Sequence, residues 1–162
     1  MVTLELVLQV FPILSLSVAL VYYAINVRNQ NRTTQASMFM QMHNQYLSIS
    51  KEVHVFYLFR NATFSTAEEF IELITNDSEW TKVNDIWLQF LEGLGVVVKA
   101  GFLDIKMVAL MWSGLTRITW DKLEPIMDDF RRITNFPRLY SETEYLCKEL
   151  IKYVDAHPEL KT

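Results

Sequence analysis

The sequence predicts an all-α protein in which one N-terminal transmembrane helix precedes a compact bundle of about five helices. Three observations support this fold class. Residues 6–27 contain no charged side chain. Further along the chain, apolar residues recur at spacings of three and four, which is the period of an α-helix. Glycine and proline, which interrupt helices, are both absent between Pro12 and Gly93.

The uncharged stretch at residues 6–27 is long enough for a membrane anchor, since about 20 apolar residues cross a bilayer. It lacks the basic start and small-residue cleavage site of a signal peptide, which favours a retained helix over a cleaved one. A buried helix of a globular core is the alternative. Basic residues begin at Arg28, so the positive-inside rule places Met1 outside the cell and the C-terminal domain in the cytoplasm.

One face of the predicted anchor carries small and polar residues at spacings of three and four. Small side chains let helices approach closely, and serine or asparagine can hydrogen-bond across the contact. We expect this face to dock against transmembrane helices of partner subunits or of a second copy. The alternative is that its serine bonds only to its own helix. The stripe comprises Pro12, Ser15, Ala19, Tyr22, Tyr23 and Asn26.

Composition divides the chain into an anchor at 1–27, a polar juxtamembrane segment at 28–35 and a helical bundle at 36–162. A break or bend is expected in the polar segment. The first bundle helix carries an apolar seam that either packs into the core, which we favour, or pairs with a second chain as a coiled coil. The seam comprises Phe39, Met42, Tyr46, Ile49, Val53 and Phe56.

Capping signals divide the rest of the bundle into helices. Ser65 and Glu68 have the spacing of a capping box, and residues 76–78 precede a second helix. Gly101 is suited to end that helix, because glycine readily adopts the left-handed conformation of a helix C-terminus. The apolar face of the second helix comprises Trp80, Val83, Trp87, Phe90, Leu94 and Val97.

Three further helices complete the predicted bundle. A short helix starts at Asp104, and a longer one covers about 115–134, with a kink expected at Pro125 because proline removes a backbone hydrogen bond. Pro137 is predicted to open the last helix, which ends at residues 157–158. Its inward-facing residues are Leu139, Leu146, Leu150 and Tyr153.

Composition also limits the classes of function. The formal net charge of −4 argues against general binding of nucleic acid, because no basic surplus neutralises phosphates. Cys147 is the only cysteine, which excludes an internal disulfide and a cysteine zinc site. Gly93 and Gly95 lack the third glycine of a dinucleotide-binding loop, so they indicate close helix packing or a bend. We expect no cofactor and no catalytic constellation.

A methionine-rich segment is the one candidate for a metal. Thioether and imidazole groups suit copper(I). A helix, however, points Met40 away from Met38 and Met42, so packing is the simpler interpretation for these residues and His43. Copper binding stays an open alternative.

A cluster of arginines and two aromatic residues are candidates for an interface of the bundle. Asp128 and Arg132 stand four apart, the spacing of a stabilising ion pair on a helix. A solvated, salt-bridged face is the first interpretation, and a receptor for a phosphate or an acidic partner is the second. Aromatic side chains near glycines or loops suit interface anchors. The candidates are Phe102, Trp112, Arg131, Arg132 and Arg138.

Several short segments together resemble one known family. Residues 91–104 read LEGLGVVVKAGFLD, residues 120–125 read WDKLEP, and Arg131 and residues 144–146 follow. This pattern is similar to the membrane-anchored all-helical family catalogued as domain of unknown function 4760, over residues 30–155. The resemblance implies a single-span anchor and an all-helical cytoplasmic domain. It implies no catalytic or ligand-binding residues.

These observations favour a non-catalytic accessory or structural subunit of a larger membrane protein complex. Its expected partners are the lipid bilayer and transmembrane subunits, which it would brace or regulate. By analogy alone, the host could be a respiratory or copper-monooxygenase-type membrane enzyme. The alternative is a homo-oligomeric signalling or scaffold protein that pairs through the seam.

Overall fold

The protein is all-α, as the sequence predicts. The computed structural model describes the backbone of residues 4–160 and the side chains of residues 18–160. Within these residues every regular element is helical. The helices are α1 (Leu4–Glu52), α2 (Val55–Arg60), α3 (Ala67–Asn76), α4 (Ser78–Lys82), α5 (Gln89–Lys99), α6 (Ile105–Leu123), α7 (Met127–Thr134) and α8 (Ser141–Ala156).

Two pairs of helices continue into one another. A π-helical turn at Val83–Leu88 joins α4 to α5, and a 3₁₀ turn at Glu124–Ile126 joins α6 to α7. A second 3₁₀ turn, at Pro158–Leu160, follows α8. Within the described part of the chain, there are therefore about six separate helical segments, in agreement with the predicted one helix followed by about five more.

The structure corrects the predicted membrane localisation. Among the described residues, no helix is long and apolar enough to cross a membrane. In α6, charged side chains occur at both ends. The prediction of a single-pass protein with an outer N-terminus and a cytoplasmic domain is therefore wrong.

The chain divides into two compact units, the first ending at Ser37 and the second beginning at Met38. The predicted break in the polar segment 28–35 does not occur, because α1 continues through it. Within that segment, the Thr33 hydroxyl donates to the Asn29 carbonyl oxygen at 3.0 Å. The side chain of Thr33 therefore bonds within its own helix.

The apolar seam of α1 packs into the core of the second unit, as we favoured. Ile49 and Val53 are 3% and 2% exposed, and three seam residues before them pack against the buried core. Phe56 is the exception, since 54% of its surface is exposed. The reason is that α1 ends at Glu52 and α2 begins at Val55, so Phe56 no longer follows the helical register of the seam.

Side-chain caps begin three of the bundle helices. The capping box of α3 lies one residue later than predicted, because Thr66 Oγ1 accepts from the backbone of Glu69 and Glu69 accepts from the backbone of Thr66. Asp77 caps α4 by accepting from the backbone of Glu79 at 2.8 Å. Asp104 caps α6 in the same way. The helix starts predicted at residues 76–78 and at Asp104 are therefore confirmed.

Glycine and proline explain where the later helices end and begin. Gly101 ends α5 with a φ of +76°, in the left-handed region that glycine favours. Gly114 lies inside α6, so the short and long helices that we predicted here are one helix. Pro125 lies in the 3₁₀ turn after α6. Pro137 does not open the last helix, because α8 begins only at Ser141, after a turn.

The core of the second unit is rich in aromatic side chains. Trp87, Trp112 and Trp120 are each at most 1% exposed. The ring of Trp112 lies 5.7 Å from that of Phe39 and 6.0 Å from that of Tyr46, measured between centroids. Helix α6 therefore packs directly against the part of α1 that belongs to this unit.

Candidate functional site

The first unit exposes a continuous apolar surface on α1, which we call the apolar turn region (residues 18–27). Asn26 is the only residue of this region with an amide or charged side chain. Ten consecutive helical residues point in all directions around the axis, and the large apolar side chains among them are 36–69% exposed. The apolar turn region is therefore apolar around its circumference. Its exposed large side chains are Val18, Leu20, Val21, Tyr22, Tyr23, Ile25 and Val27.

The predicted docking stripe coincides only in part with this surface. Pro12 and Ser15 lie outside the residues whose side chains the structure describes. Ala19, Tyr22 and Asn26 are exposed, as is Tyr23. The exposed apolar surface also includes residues between the stripe positions, so it is not restricted to one face. The stripe pattern did not predict that the apolar surface extends around the helix. The near absence of polar residues from this segment was the sequence signal for it.

The two aromatic candidates for a bundle interface have opposite environments. Phe102 follows Gly101 in the turn after α5 and is 53% exposed, so its side chain is available to a partner. Trp112 is 1% exposed and packs among Phe39, Tyr46 and Phe90. The assignment of Trp112 to a surface is corrected, because its helical position places the indole in the core.

The three arginines do not converge on one site. The Arg131 guanidinium donates to the Leu139 carbonyl oxygen at 2.9 Å and lies 2.8 Å from the Glu144 carboxylate. Arg132 pairs with Asp129 at 2.8 Å, rather than with Asp128 as predicted. Arg138 is highly exposed and lies 3.9 Å from Glu142. These ion pairs favour the solvated, salt-bridged face over a receptor for phosphate.

The methionine segment of α1 is divided by the helix, as expected for packing. Met40 is 52% exposed, whereas Met42 packs against the core. His43 stacks on Phe39 with the ring centroids 6.1 Å apart. Within the described part of the chain, no group of three or more histidine, cysteine or acidic residues could hold a metal ion.

A second candidate site, which the sequence did not reveal, is a cavity of about 210 Å³ between α6 and α8. Thr116 and Trp120 line it from α6, and both are 1% exposed. In the described part of the chain, neither Thr116 Oγ1 nor Trp120 Nε1 has a hydrogen-bond partner. The four-residue spacing of a threonine and a tryptophan was the only sequence signal.

Buried side chains and a mixed rim complete this cavity, which we call the α6–α8 cavity. The Cys147 thiol and Leu150 are buried in its wall, and Ile151 and Val154 follow on α8. At its rim Arg117 and Asp121 form an exposed pair 3.8 Å apart. The lining therefore mixes apolar and polar side chains, and the two unpartnered polar atoms belong to residues of its wall but are themselves buried.

The fold and surfaces define a class: an all-α protein with a compact helical bundle and an N-terminal helix that exposes apolar side chains. The chain belongs to the family described as "Domain of unknown function (DUF4760)", which matches residues 3–150. The match covers most of the chain and confirms the family that the sequence resembles; it does not support membrane anchoring. No curated protein and no solved structure matches the chain.

Proposed function

We propose that this protein is a non-catalytic subunit that assembles with different protein chains through the apolar turn region of α1. The observation that carries the proposal is the exposure of apolar side chains around the whole circumference of residues 18–27. A helix that is apolar on every side is stable in water only where another surface covers it. Large exposed apolar patches on monomeric proteins are rare and mark sites of interaction.

The energy available from covering this surface is of the order that assembly costs. Val21, Tyr22 and Tyr23 are 60–67% exposed, and burying a large apolar side chain contributes about 1.5–3 kcal/mol. The seven exposed side chains together supply an energy of the same order as the cost of association in lost freedom of motion, about 4–15 kcal/mol. The polar segment at residues 28–35 follows, so the apolar contact surface ends at the C-terminal side of the apolar turn region.

A partner of different sequence is favoured over the homo-oligomeric scaffold. That alternative required the seam of α1 to pair between two copies of the chain. Ile49 and Val53 of the seam are instead buried in the core of their own bundle. Opening the bundle to expose them would lose that burial, so the seam does not offer a second interface.

The test introduces charge into the apolar turn region of the full-length chain. Val21 and Ile25 lie four residues apart and are both exposed, so Val21→Glu with Ile25→Glu preserves the bundle and makes contact unfavourable. The tagged protein is purified from its own organism at native expression levels, and its complexes are measured by native mass spectrometry. We expect stoichiometric foreign subunits with the wild type and their loss with the double variant.

A matched control places the same charges on the same helix, outside the apolar turn region. Gln30 and Thr34 are exposed and also four residues apart, so Gln30→Glu with Thr34→Glu should retain the complex. Unchanged unfolding midpoints would show that both double variants fold. If both variants keep the same subunits, the apolar turn region is not the interface; a complex of identical chains alone would instead support the scaffold alternative.

A further inference from the structure

Two arginines continue one face of the apolar turn region. Val21, Ile25, Arg28 and Arg32 follow one another in α1 at spacings of four, three and four, so they share one side of the helix. All four side chains are exposed. We call these four residues the mixed face. A partner that covers Val21 and Ile25 along this face therefore also reaches the two arginines.

Arg28 and Arg32 have no negative partner on their own helix. The sequence contains no acidic residue between Glu5 and Glu52, and neither guanidinium pairs with any residue that the structure describes. Two like charges four residues apart also destabilise a helix slightly. In the bundle, by contrast, four arginines form ion pairs with carboxylates, namely Arg117, Arg131, Arg132 and Arg138. The mixed face therefore offers two positive charges that only another molecule can neutralise.

The spacing of the mixed face is typical of a surface that packs against another helix. Alternating steps of three and four residues form the seam along which two helices pack. In sequence, the same steps continue from Arg32 through Gln35 to Phe39, where the seam of α1 begins. A helix covers that later part, since Trp112 of α6 lies close to Phe39 and Tyr46. We therefore expect a helix to cover the mixed face as well.

A second copy of the chain does not supply the missing negative charge. Arg28 and Arg32 are the only charged residues at positions 18–37. Two copies that pair through this segment therefore bring no carboxylate to either arginine in any register. A guanidinium that is covered without a counter-charge is costly. This favours a partner of different sequence.

A membrane surface also fits the apolar turn region poorly. A helix that lies in the plane of a membrane surface has one apolar face and one polar face. Residues 18–27 are instead apolar around the whole circumference of α1, and their large side chains are exposed on every side. A protein that encloses this segment is therefore favoured over a lipid surface.

We propose that the mixed face binds a helix of a different protein chain, in which two carboxylates adjoin apolar residues on one side. The apolar residues cover Val21 and Ile25, and the carboxylates accept hydrogen bonds from the guanidinium groups of Arg28 and Arg32. Hydrogen bonds between guanidinium and carboxylate are charge-assisted and can be bidentate, so they fix the register of the two helices and select the partner. This inference rests on the assembly proposed above and names the chemistry of its partner.

The test removes the two charges from the full-length chain. Arg28→Gln with Arg32→Gln keeps polar, exposed side chains on the helix, so the variant is expected to fold. The complex is purified from its own organism, diluted in ammonium acetate at about 50 and 500 mM, and measured by native mass spectrometry. At the lower salt concentration, we expect the Kd to rise about 5- to 30-fold. Salt screens ion pairs, so it should weaken the wild type far more than the variant.

Two further variants serve as controls. Arg28→Lys with Arg32→Lys keeps the charges, so it should retain the salt dependence of the wild type. Arg132→Gln with Arg138→Gln removes two exposed arginines outside the mixed face and changes the net charge by the same amount. It should leave the Kd unchanged.

The outcomes separate this inference from the assembly on which it rests. If the glutamine variant of the mixed face keeps the Kd and salt dependence of the wild type, the acidic partner helix is overturned. The assembly itself still stands if Val21→Glu with Ile25→Glu loses the foreign subunits, and both proposals fail if it keeps them. The partner helix is also overturned if the chain freed of its subunits binds phosphatidylserine vesicles, but not phosphatidylcholine vesicles, through the same two arginines.

Discussion

Trp87 Nε1 donates a hydrogen bond of 3.0 Å to Thr119 Oγ1 in the centre of the bundle. Both residues are 0% exposed. The bond connects the π-helical turn between α4 and α5 to the C-terminal part of α6. A buried indole keeps its polar atom satisfied here only because a particular residue of another helix faces it.

This bond leads to a prediction about two threonines of the same helix. Thr119→Val keeps the side-chain shape but leaves Trp87 Nε1 buried without a partner, so we expect the free energy of unfolding to fall by about 1–3 kcal/mol. Thr116→Val removes a hydroxyl that has no partner among the described residues. It should be neutral or stabilising. Denaturant unfolding of both variants provides the measurement, and equal losses would contradict the assigned bond.

Gly95 lies at a close approach between α5 and α8. A Cβ atom added to it would lie 2.2 Å from the backbone oxygen of Glu142. Because that oxygen belongs to backbone and cannot rotate away, we expect Gly95→Ala to lower the free energy of unfolding by about 1–3 kcal/mol. Thermal or denaturant unfolding of the full-length chain measures the loss.

Gly93 provides the control for that substitution, because it lies in the same helix and nothing lies within 4 Å of a Cβ added there. Gly93→Ala should raise the free energy of unfolding by up to about 1 kcal/mol, since alanine is the better helix former. If both substitutions stabilise the protein, the close contact at Gly95 does not exist in solution.

Helix ends were largely predictable from the sequence because their causes are local. Asp77, Asp104 and Gly101 act within a few residues of the helix ends that they define. The capping box was misplaced by one residue because Ser65 and Thr66 are both suitable caps with an acid three positions on. The prediction that Pro137 opens the last helix was wrong because proline suits a turn as well as the first turn of a helix.

The candidate site was less predictable because its causes lie far apart in the sequence. Whether an aromatic residue such as Trp112 is buried depends on which helix covers it. The burial of Thr116 Oγ1 and Trp120 Nε1 likewise depends on how other helices, α8 among them, pack against α6. Periodicity places these residues on a helix but does not give the position of the neighbouring helix.

Glu92 supplies the cap that the N-terminus of α8 lacks from its own sequence. Its carboxylate accepts from the backbone N–H of Thr143 at 2.8 Å, from the hydroxyl of that residue at 2.9 Å and from the backbone of Glu142 at 3.2 Å. A negative charge is favourable at this end of a helix. Glu92→Gln keeps the shape and removes the charge, so we expect a loss of about 1–2 kcal/mol in the free energy of unfolding.

A partly exposed glutamate of α8 provides the comparison for Glu92→Gln. Glu149 pairs with Lys152 three residues away within the same helix, and exposed pairs of this kind contribute little. Glu149→Gln should therefore change the free energy of unfolding by less than about 0.5 kcal/mol. Chemical denaturation at neutral pH compares the two variants, and equal effects would mean that Glu92 does not act as a cap.

Tyr140 couples the stability of the bundle to alkaline pH. Its hydroxyl donates to Asn84 Oδ1 at 2.9 Å, and the residue is 3% exposed. Burial, and then the charge of Asp85, raise the pKa of this phenol from 10.0 to about 12. Between these two values the unfolded chain loses the proton while the folded chain keeps it. The free energy of unfolding therefore falls as pH rises from 10 to 12.

The corresponding variant is Tyr140→Phe, which removes the titrating group and keeps the ring in the core. Between pH 10 and 12 the wild type should lose up to about 2–3 kcal/mol more of its free energy of unfolding than this variant. Denaturant unfolding at a series of pH values measures the difference. Tyr57→Phe alters a tyrosine that is 67% exposed, so it should follow the wild type. Parallel curves for the wild type and Tyr140→Phe would show that the hydroxyl of Tyr140 ionises equally in the folded and unfolded chains.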